Sequence, residues 1–401
     1  MDIGAIARDL AVVTRLGARQ LVRQLVRQLG ASAAGRAPPD LAAWRQELEA
    51  WVRTVPVELL AEHRFIELPA EQPPWFDAGL QIAAGDMITW FAAGRVYLSR
   101  ALDIWVPPSF QLWARVGAAG TVLRGTRDTH SFQAAADGPL QLASYFPGEW
   151  STPQGDLGHG AHDYGTVSGG MVVLLLKWRP GVEPAAVLRE TEKHTPLPTP
   201  VAAEASRLAA ILPAPAGWDY LWYVGPGELY RAGSTPEQQP SVCCDTRGDA
   251  GILQHPAALA LQPGTFLSWR WRVDSLPLDL REDSMPSHDY LSIAVEFDDG
   301  KDLTYLWSAT LPVGTVFRCP LPAWKDKETH VVVRSGSAEL GCWLDERRDV
   351  HEDYRRCIGG PARSVVRVWL IAISLFQRGH GRCEYSGIEF EQPDGHRLKV
   401  L

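Results

Sequence analysis

Two imidazoles and two carboxylates fall within eight positions in the glycine-rich run Asp156-Leu157-Gly158-His159-Gly160-Ala161-His162-Asp163. His and carboxylate ligands at such spacing can chelate zinc, and three of them plus water would make a hydrolytic site. No third His follows at a standard spacing, so Asp156, His159, His162 and Asp163 read equally as an exposed polar loop, and no metal or other cofactor is expected. A second constellation lies at Ser268–Val273, where alternation sends Trp269, Trp271 and Val273 to one side of a strand and Arg270 and Arg272 to the other. If Glu296, Arg334 and Glu346 share that facing on neighbouring strands, they make a charged surface for polyhydroxylated or carboxylated ligands, with Tyr305 or Trp307 to stack on them. The competing reading is that these charges neutralise one another as ion pairs. His288 beside Asp289, and Asp353 near His351, are candidates for general-base chemistry, although a solvated surface histidine would look the same. GxSxG, P-loop, GxGxxG and HExxH motifs are absent, and Asp298/Asp299 and Asp345/Glu346 are adjacent pairs that a strand would point to opposite faces.

The elements that must position these residues are mostly strands. The chain has 401 residues, of which 46% are hydrophobic and 21% charged, enough for two or three folded domains. Its net charge of −8 provides no general attraction for a phosphate backbone, so nucleic acid is not an expected partner. No apolar run approaches the ~20 residues of a membrane helix. Six cysteines without a CxxC pair, and an N-terminus interrupted by Asp2 and Asp9, point to reduced thiols and a cytoplasmic location. Sixteen tryptophans fill sandwich cores or line sites that stack on flat ligands.

Residues 1–65 read as a helical hairpin: an amphipathic first helix over Ile3–Leu29 with Arg8, Arg15, Arg19, Arg23 and Arg27 on its polar side, then a second helix capped by Asp40 and running to about Arg53, continued after Pro56 to about His63. Residues 70–180 carry short strands at Ile88–Phe91, Arg95–Leu98, Leu112–Val116, Leu140–Tyr145 and Met171–Leu176. Residues 181–217 are rich in Pro and Ala and read as a linker with short helices. Strands return over 218–401, at Tyr220–Val224, Phe266–Val273, Leu291–Phe297, Leu303–Trp307, His330–Arg334, Val365–Ile373 and Tyr385–Phe390. The fold class is therefore mainly β, with two antiparallel, jelly-roll-like sandwiches behind the hairpin.

Trp269-Arg270-Trp271-Arg272-Val273, His288-Asp289-Tyr290, Tyr305-Leu306-Trp307, Arg334-Ser335-Gly336 and Trp343 through Glu346-Arg347 to Asp353-Tyr354 fall in an order that resembles the bacterial domain-of-unknown-function family 3047, over about residues 218–390. The resemblance implies a galactose-binding-type jelly roll and a carbohydrate-like ligand. The chain departs from the family pattern at Ser374–Arg378 and at Ile293. Gly85-Asp86-Met87-Ile88, Gly94 and Gly138–Leu142 leading to Tyr145-Phe146-Pro147-Gly148 are similar to the galactophilic PA-IL-type lectins. Those lectins hold calcium through an Asn-Asp pair, and Ser144-Tyr145 stands at that place, so the sandwich is implied without the calcium.

Two functions follow. The first is a protein of two sandwiches binding a carbohydrate-like or other polar small molecule. The second is a metal-independent cyclase or isomerase of a natural-product intermediate, with an aromatic-lined pocket between the two β domains. The basic first helix reads as one face of a helix packed on the protein itself, the alternative being contact with a membrane surface. The full chain is accordingly expected to stay in the supernatant with anionic liposomes at physiological salt. Salt-sensitive cosedimentation that disappears on deleting residues 1–30 would identify a membrane-docking segment instead.

Overall fold

The computed structural model describes residues 9–20, 38–70, 75–158, 167–193 and 196–401. The chain divides into two units, one running from Gly17 to Ile211 and the other formed by Leu212–Leu401 with the chain up to Leu16. Residues 9–20 are helical and bury Val12 and Leu16. The rest of the expected first helix, and its turn at 30–37, lies outside the described residues. Asp40 caps the helix Leu41–Val52 as expected, its carboxylate accepting from the Ala42 and Ala43 N–H groups. No helix among the described residues is long and apolar enough to cross a membrane.

The first unit carries strands β1 (Leu60–Pro69), β2 (Phe76–Ile82), β3 (Met87–Ser99), β4 (Ile104–Val106), β5 (Leu112–Val116), β6 (Leu123–Arg124), β7 (Thr129–Gln133), β8 (Gly138–Ser144) and β9 (Ser168–Trp178). They form a sheet in the order β1-β9-β3-β4, with β7 also on β3, and a second sheet in the order β2-β8-β5-β6. Strand β9 explains the unbroken apolar run in the sequence. Leu174, Leu176 and Trp178 pack under the helices Leu41–Val52, Pro184–Glu192 and Thr199–Ala209, while Val173 and Leu175, pointing the other way, are equally buried. A strand covered on both sides has no polar face to alternate. Each such side chain contributes roughly 1.5–3 kcal/mol by leaving water.

Three sequence expectations change here. The stretch after Pro56 is not a helical continuation, because Leu60–Pro69 pairs with β9 from Leu60↔Trp178 to Pro69↔Gly170 and that ladder outweighs local propensity. The separate strands expected at Ile88–Phe91 and Arg95–Leu98 are one, β3, with Ala92-Ala93-Gly94 in its middle. Gly94 has φ +146°, and a Cβ there would collide with the Gly170 carbonyl oxygen, so a glycine is what the close strand approach needs. Residues 181–217 carry the short helices expected of them, but these are packed: Val187, Leu188, Val201 and Ala205 belong to the core just described.

The second unit is a two-sheet sandwich of β10 (Asp219–Tyr220), β11 (Tyr230–Ser234), β12 (Pro240–Arg247), β13 (Ala250–Ala260), β14 (Phe266–Ser275), β15 (Tyr290–Phe297), β16 (Asp302–Ser308), β17 (Val316–Arg318), β18 (Glu328–Ser335), β19 (Leu344–Asp349), β20 (Ser364–Ile373), β21 (His380–Glu391) and β22 (Arg397–Lys399). One sheet runs β10-β13-β20-β15-β16-β18-β17 and the other β11-β12-β21-β14-β19, with β22 on β21. All pairings are antiparallel except β16 with β18. Between the sheets lie Trp269, Trp271, Tyr305, Trp307, Tyr230 and Tyr385 with the inward aliphatics, so the tryptophan excess here is spent on core filling. The outward side of the seven-stranded sheet is buried too. Leu306, Val332, Trp369 and Ile371 pack under a cover that includes Leu221, Val224, Leu311, Cys319 and Trp324. The other sheet's outward side carries charge.

With the helices of 184–209 built into a core, exposed backbone between the units begins at Ala209-Ala210-Ile211. Brief proteolysis is therefore expected to cut within 209–217, leaving 184–208 intact, as mass spectrometry of the fragments would show. A first cut inside either helix would contradict their packing.

Candidate functional site

Alternation along β14 sends Trp269 and Trp271 inward and Arg270 and Arg272 outward, as the sequence predicts. Strand pairing then lays out two rows. Arg231, Cys243, Glu384 and Arg272 follow one another across β11, β12, β21 and β14; Gly233, Ser241, Ser386 and Arg270 lie alongside, ending at Asp345 on β19. Arg272 contacts Glu384 at 3.2 Å and Asp274 at 3.0 Å, and Arg270 contacts Asp345 at 3.1 Å. Both guanidinium groups stand 5.5 Å from the ring centre of Trp343, which lies just before β19. Glu384 is buried and accepts from the Ser241 hydroxyl at 2.5 Å. Burial, followed by the Glu384 charge, pushes the Cys243 thiol upward and keeps it protonated.

The other expected members of this face lie elsewhere. Glu296 is on the outward side of the seven-stranded sheet, bonded to Arg367 at 2.7 Å. Arg334 and Glu346 meet at 2.6 Å where the sheets close against each other, and the same Glu346 oxygen accepts from Trp271 Nε1 at 3.2 Å. Tyr305 and Trp307 are in the core: the Tyr305 hydroxyl donates to Asp353 and Trp307 Nε1 to the Gly336 carbonyl. Asp353 also receives Arg348 and Arg356, each at 2.7 Å, so it closes the rim from the helix Val350–Cys357. The residues expected on one face are thus divided among the open sheet face, the rim, the core and the outward side of the seven-stranded sheet.

His288 and Asp289 are fully buried; His288 lies against Cys319 on the outward side of the seven-stranded sheet and Asp289 against the loop at 376–377, whereas Asp353 bonds Tyr305 on the inward side. Asp289 accepts from the Phe376 and Gln377 N–H groups and anchors that loop; burial raises its carboxyl to about 7 despite those donors. His288 Nδ1 meets the Glu282 carbonyl at 2.6 Å and Nε2 meets Cys319 Sγ at 3.3 Å. Burial, then the neighbouring His330, lowers the His288 imidazole to about 3, leaving it neutral. Nearby Glu328 accepts from the Tyr290 hydroxyl at 2.7 Å and from Thr304 at 3.2 Å. Burial opposes its ionisation, but His330, His288 and the Tyr290 hydroxyl together outweigh burial and lower the Glu328 carboxyl, whereas burial and the Glu328 charge push Asp302 well up. Of His288, Cys319, Glu328 and His330, the sequence singled out His288 alone, because the other three are spread over a loop and a strand with no motif spacing.

In the run 156–163, the Asp156 carboxylate accepts from the Thr152 hydroxyl at 2.8 Å and shapes a turn; His159, His162 and Asp163 lie outside the described residues. Ser144 and Tyr145, at the place of the lectin calcium pair, are buried, with the tyrosine ring 4.3 Å from that of Trp150.

Residues 218–389 match the family model described as a protein of unknown function (DUF3047). That stretch contains both rows of the open face and the whole buried cluster, and its limits agree with the sequence resemblance. The comparison with curated proteins gave no match. Among solved structures, the chain is similar to the N-terminal domain of EclA, described as a PllA-like lectin, at 17% identity over 30% of this chain and 98% of that one, with a TM-score of 0.23. It is similar to the xyloglucanase domain of NopAA from Sinorhizobium fredii, in complex with cellobiose, at 12% identity over 46% and 95%, with a TM-score of 0.27. A third is the family 11 xylanase from Neocallimastix patriciarum, at 7% identity over 44% and 93%, with a TM-score of 0.24.

The Glu346 contacts give a direct test of the rim. Glu346→Ala leaves Trp271 Nε1 without its acceptor and Arg334 with Glu339 alone, and is expected to cost about 1–3 kcal/mol in urea unfolding, with Glu346→Gln recovering part of it. A loss below roughly 0.5 kcal/mol would show that water replaces the carboxylate there.

Proposed function

We propose that the C-terminal unit binds a carbohydrate-like ligand carrying a carboxylate on the outward face of its six-stranded sheet. The observation that supports this reading most is the Arg270–Trp343–Arg272 arrangement, in which two half-buried guanidinium groups flank one indole on a face left open by the fold. A planar guanidinium offers paired N–H donors to a carboxylate. The indole offers a flat surface to a sugar ring. Ser241 and Ser386, at the same level on the neighbouring strands, are buried with their hydroxyls on Glu384 and the Pro240 carbonyl, so they back the face from beneath. Folding alone would not require these charges on an outward face that apolar or simple polar residues could cover.

The reading is tested by isothermal titration with oligogalacturonate as probe and neutral xylo-oligosaccharide as comparison. Arg272→Ala and Trp343→Ala are each expected to weaken oligogalacturonate binding by ~1.5–3 kcal/mol while leaving the melting temperature nearly unchanged. A large fall in melting temperature for ligand-free Arg272→Ala would mean that Arg272 serves Glu384 and Asp274 structurally, and would defeat the assignment. Wild-type protein that binds neither probe would defeat it as well.

A further inference from the structure

The outward side of the seven-stranded sheet holds a set of side chains that folding does not account for. Glu328 and His330 stand two residues apart on β18 and so share its outward face; His288 enters from the segment before β15, and Cys319 from the cover beyond β17. All four are buried, and one donor atom from each lies within 4.8 Å of every other. We propose that these four residues bind a divalent transition metal, zinc by preference, in a closed tetrahedral site.

Three independent features of the geometry agree with this. Ligands of tetrahedral zinc at about 2.0–2.3 Å stand about 3.3–3.7 Å from each other. His288 Nε2 and Cys319 Sγ are 3.3 Å apart, and Glu328 Oε2 and His330 Nε2 are 3.5 Å apart. The outer contacts are those of a prepared site. With its proton on Nδ1 donated to the Glu282 carbonyl, His288 turns the Nε2 lone pair inward, and Tyr290 and Thr304 hold Glu328 by Oε1, leaving Oε2 for the metal. The third feature is an orphan. His330 is fully buried and neither ring nitrogen makes a hydrogen bond among the described residues, although Phe317 stacks on the ring at 4.6 Å.

The donor set selects the ion. Two imidazoles, a thiolate and a carboxylate suit zinc, whereas calcium and magnesium take oxygen ligands. Charge agrees as well. One thiolate and one carboxylate neutralise a dication, and Glu328 has no ion-pair partner other than His330 among the described residues. On binding, the Cys319 thiol releases its proton to solvent and the sulfur bonds to the metal, with no redox change. Four protein ligands and no exposure describe a structural ion, which would tie the cover at Cys319 and the segment at His288 onto β18.

The test uses the full chain purified without chelator from zinc-supplemented culture. Elemental analysis is expected to give about one zinc per chain, and Cys319→Ser and His330→Gln to reduce it at least tenfold. Because either variant can fail to fold, the wild type is also exchanged into cobalt. Intense tetrahedral d–d bands with a thiolate charge-transfer band are expected, together with a fall in melting temperature when the metal is chelated. Metal below about a tenth of an ion per chain, or cobalt spectra without the thiolate band, would overturn the proposal.

Discussion

The seven-stranded sheet of the C-terminal unit is buried on both faces, and the rest of that unit answers to this constraint. Toward the second sheet, β15, β16, β18 and β20 present Ile293, Tyr305, Val331 and Leu370, and close packing suffices. Away from it, the same strands present Tyr290, Thr304, Glu328 and His330 together with apolar neighbours, and the cover segments remove these polar groups from water. A buried polar group costs free energy unless it finds a partner. Hydroxyls and backbone groups supply partners for most of them: Glu282 takes Ser308 and the Ala309 N–H, and Asp289 takes two loop amides. The His330 ring finds no hydrogen-bonding partner among the described residues, and the proposed metal completes the balance.

The six-stranded sheet solves the opposite problem. Its inward side is as apolar as its partner's, but its outward side is open, so Arg270, Arg272, Asp274 and Asp345 remain partly hydrated above the buried Glu384, and the pairing of those four is cheap to rearrange. A ligand carboxylate can replace Asp345 or Asp274 beside a guanidinium without stranding a buried charge. In the proposed reading, function is separated from stability across one sandwich. The closed outward face holds the fold together, and the open one is available for recognition.

Alternation made much of this architecture legible. Trp269, Trp271 and Val273 against Arg270 and Arg272 is a period-two pattern, and its two sides emerged as core and open face. Facing on a single strand says nothing of which sheet its neighbours join. Glu296 was expected beside Arg272 and lies on the other sheet, while Glu346 and Arg334 turned inward at an edge where the sheets converge. Strands buried twice were legible as apolar runs, as at Met171–Leu176, but no period-two alternation marks the stretch after Pro56, and only its ladder with β9 makes Leu60–Pro69 a strand. The four-ligand cluster had no sequence signature because its members span His288 to His330 and are gathered by a parallel β16–β18 pairing that local spacing does not reveal.

The central claim is that a metal supplies the partner missing beneath the cover of the seven-stranded sheet. X-ray absorption at the zinc edge, on the protein as purified, tests it most directly. The account predicts a first shell of two nitrogens, one oxygen and one sulfur, with the sulfur at about 2.3 Å and imidazole scattering beyond it. An all-oxygen and nitrogen shell of surface-bound zinc, or no zinc edge at all, would contradict it.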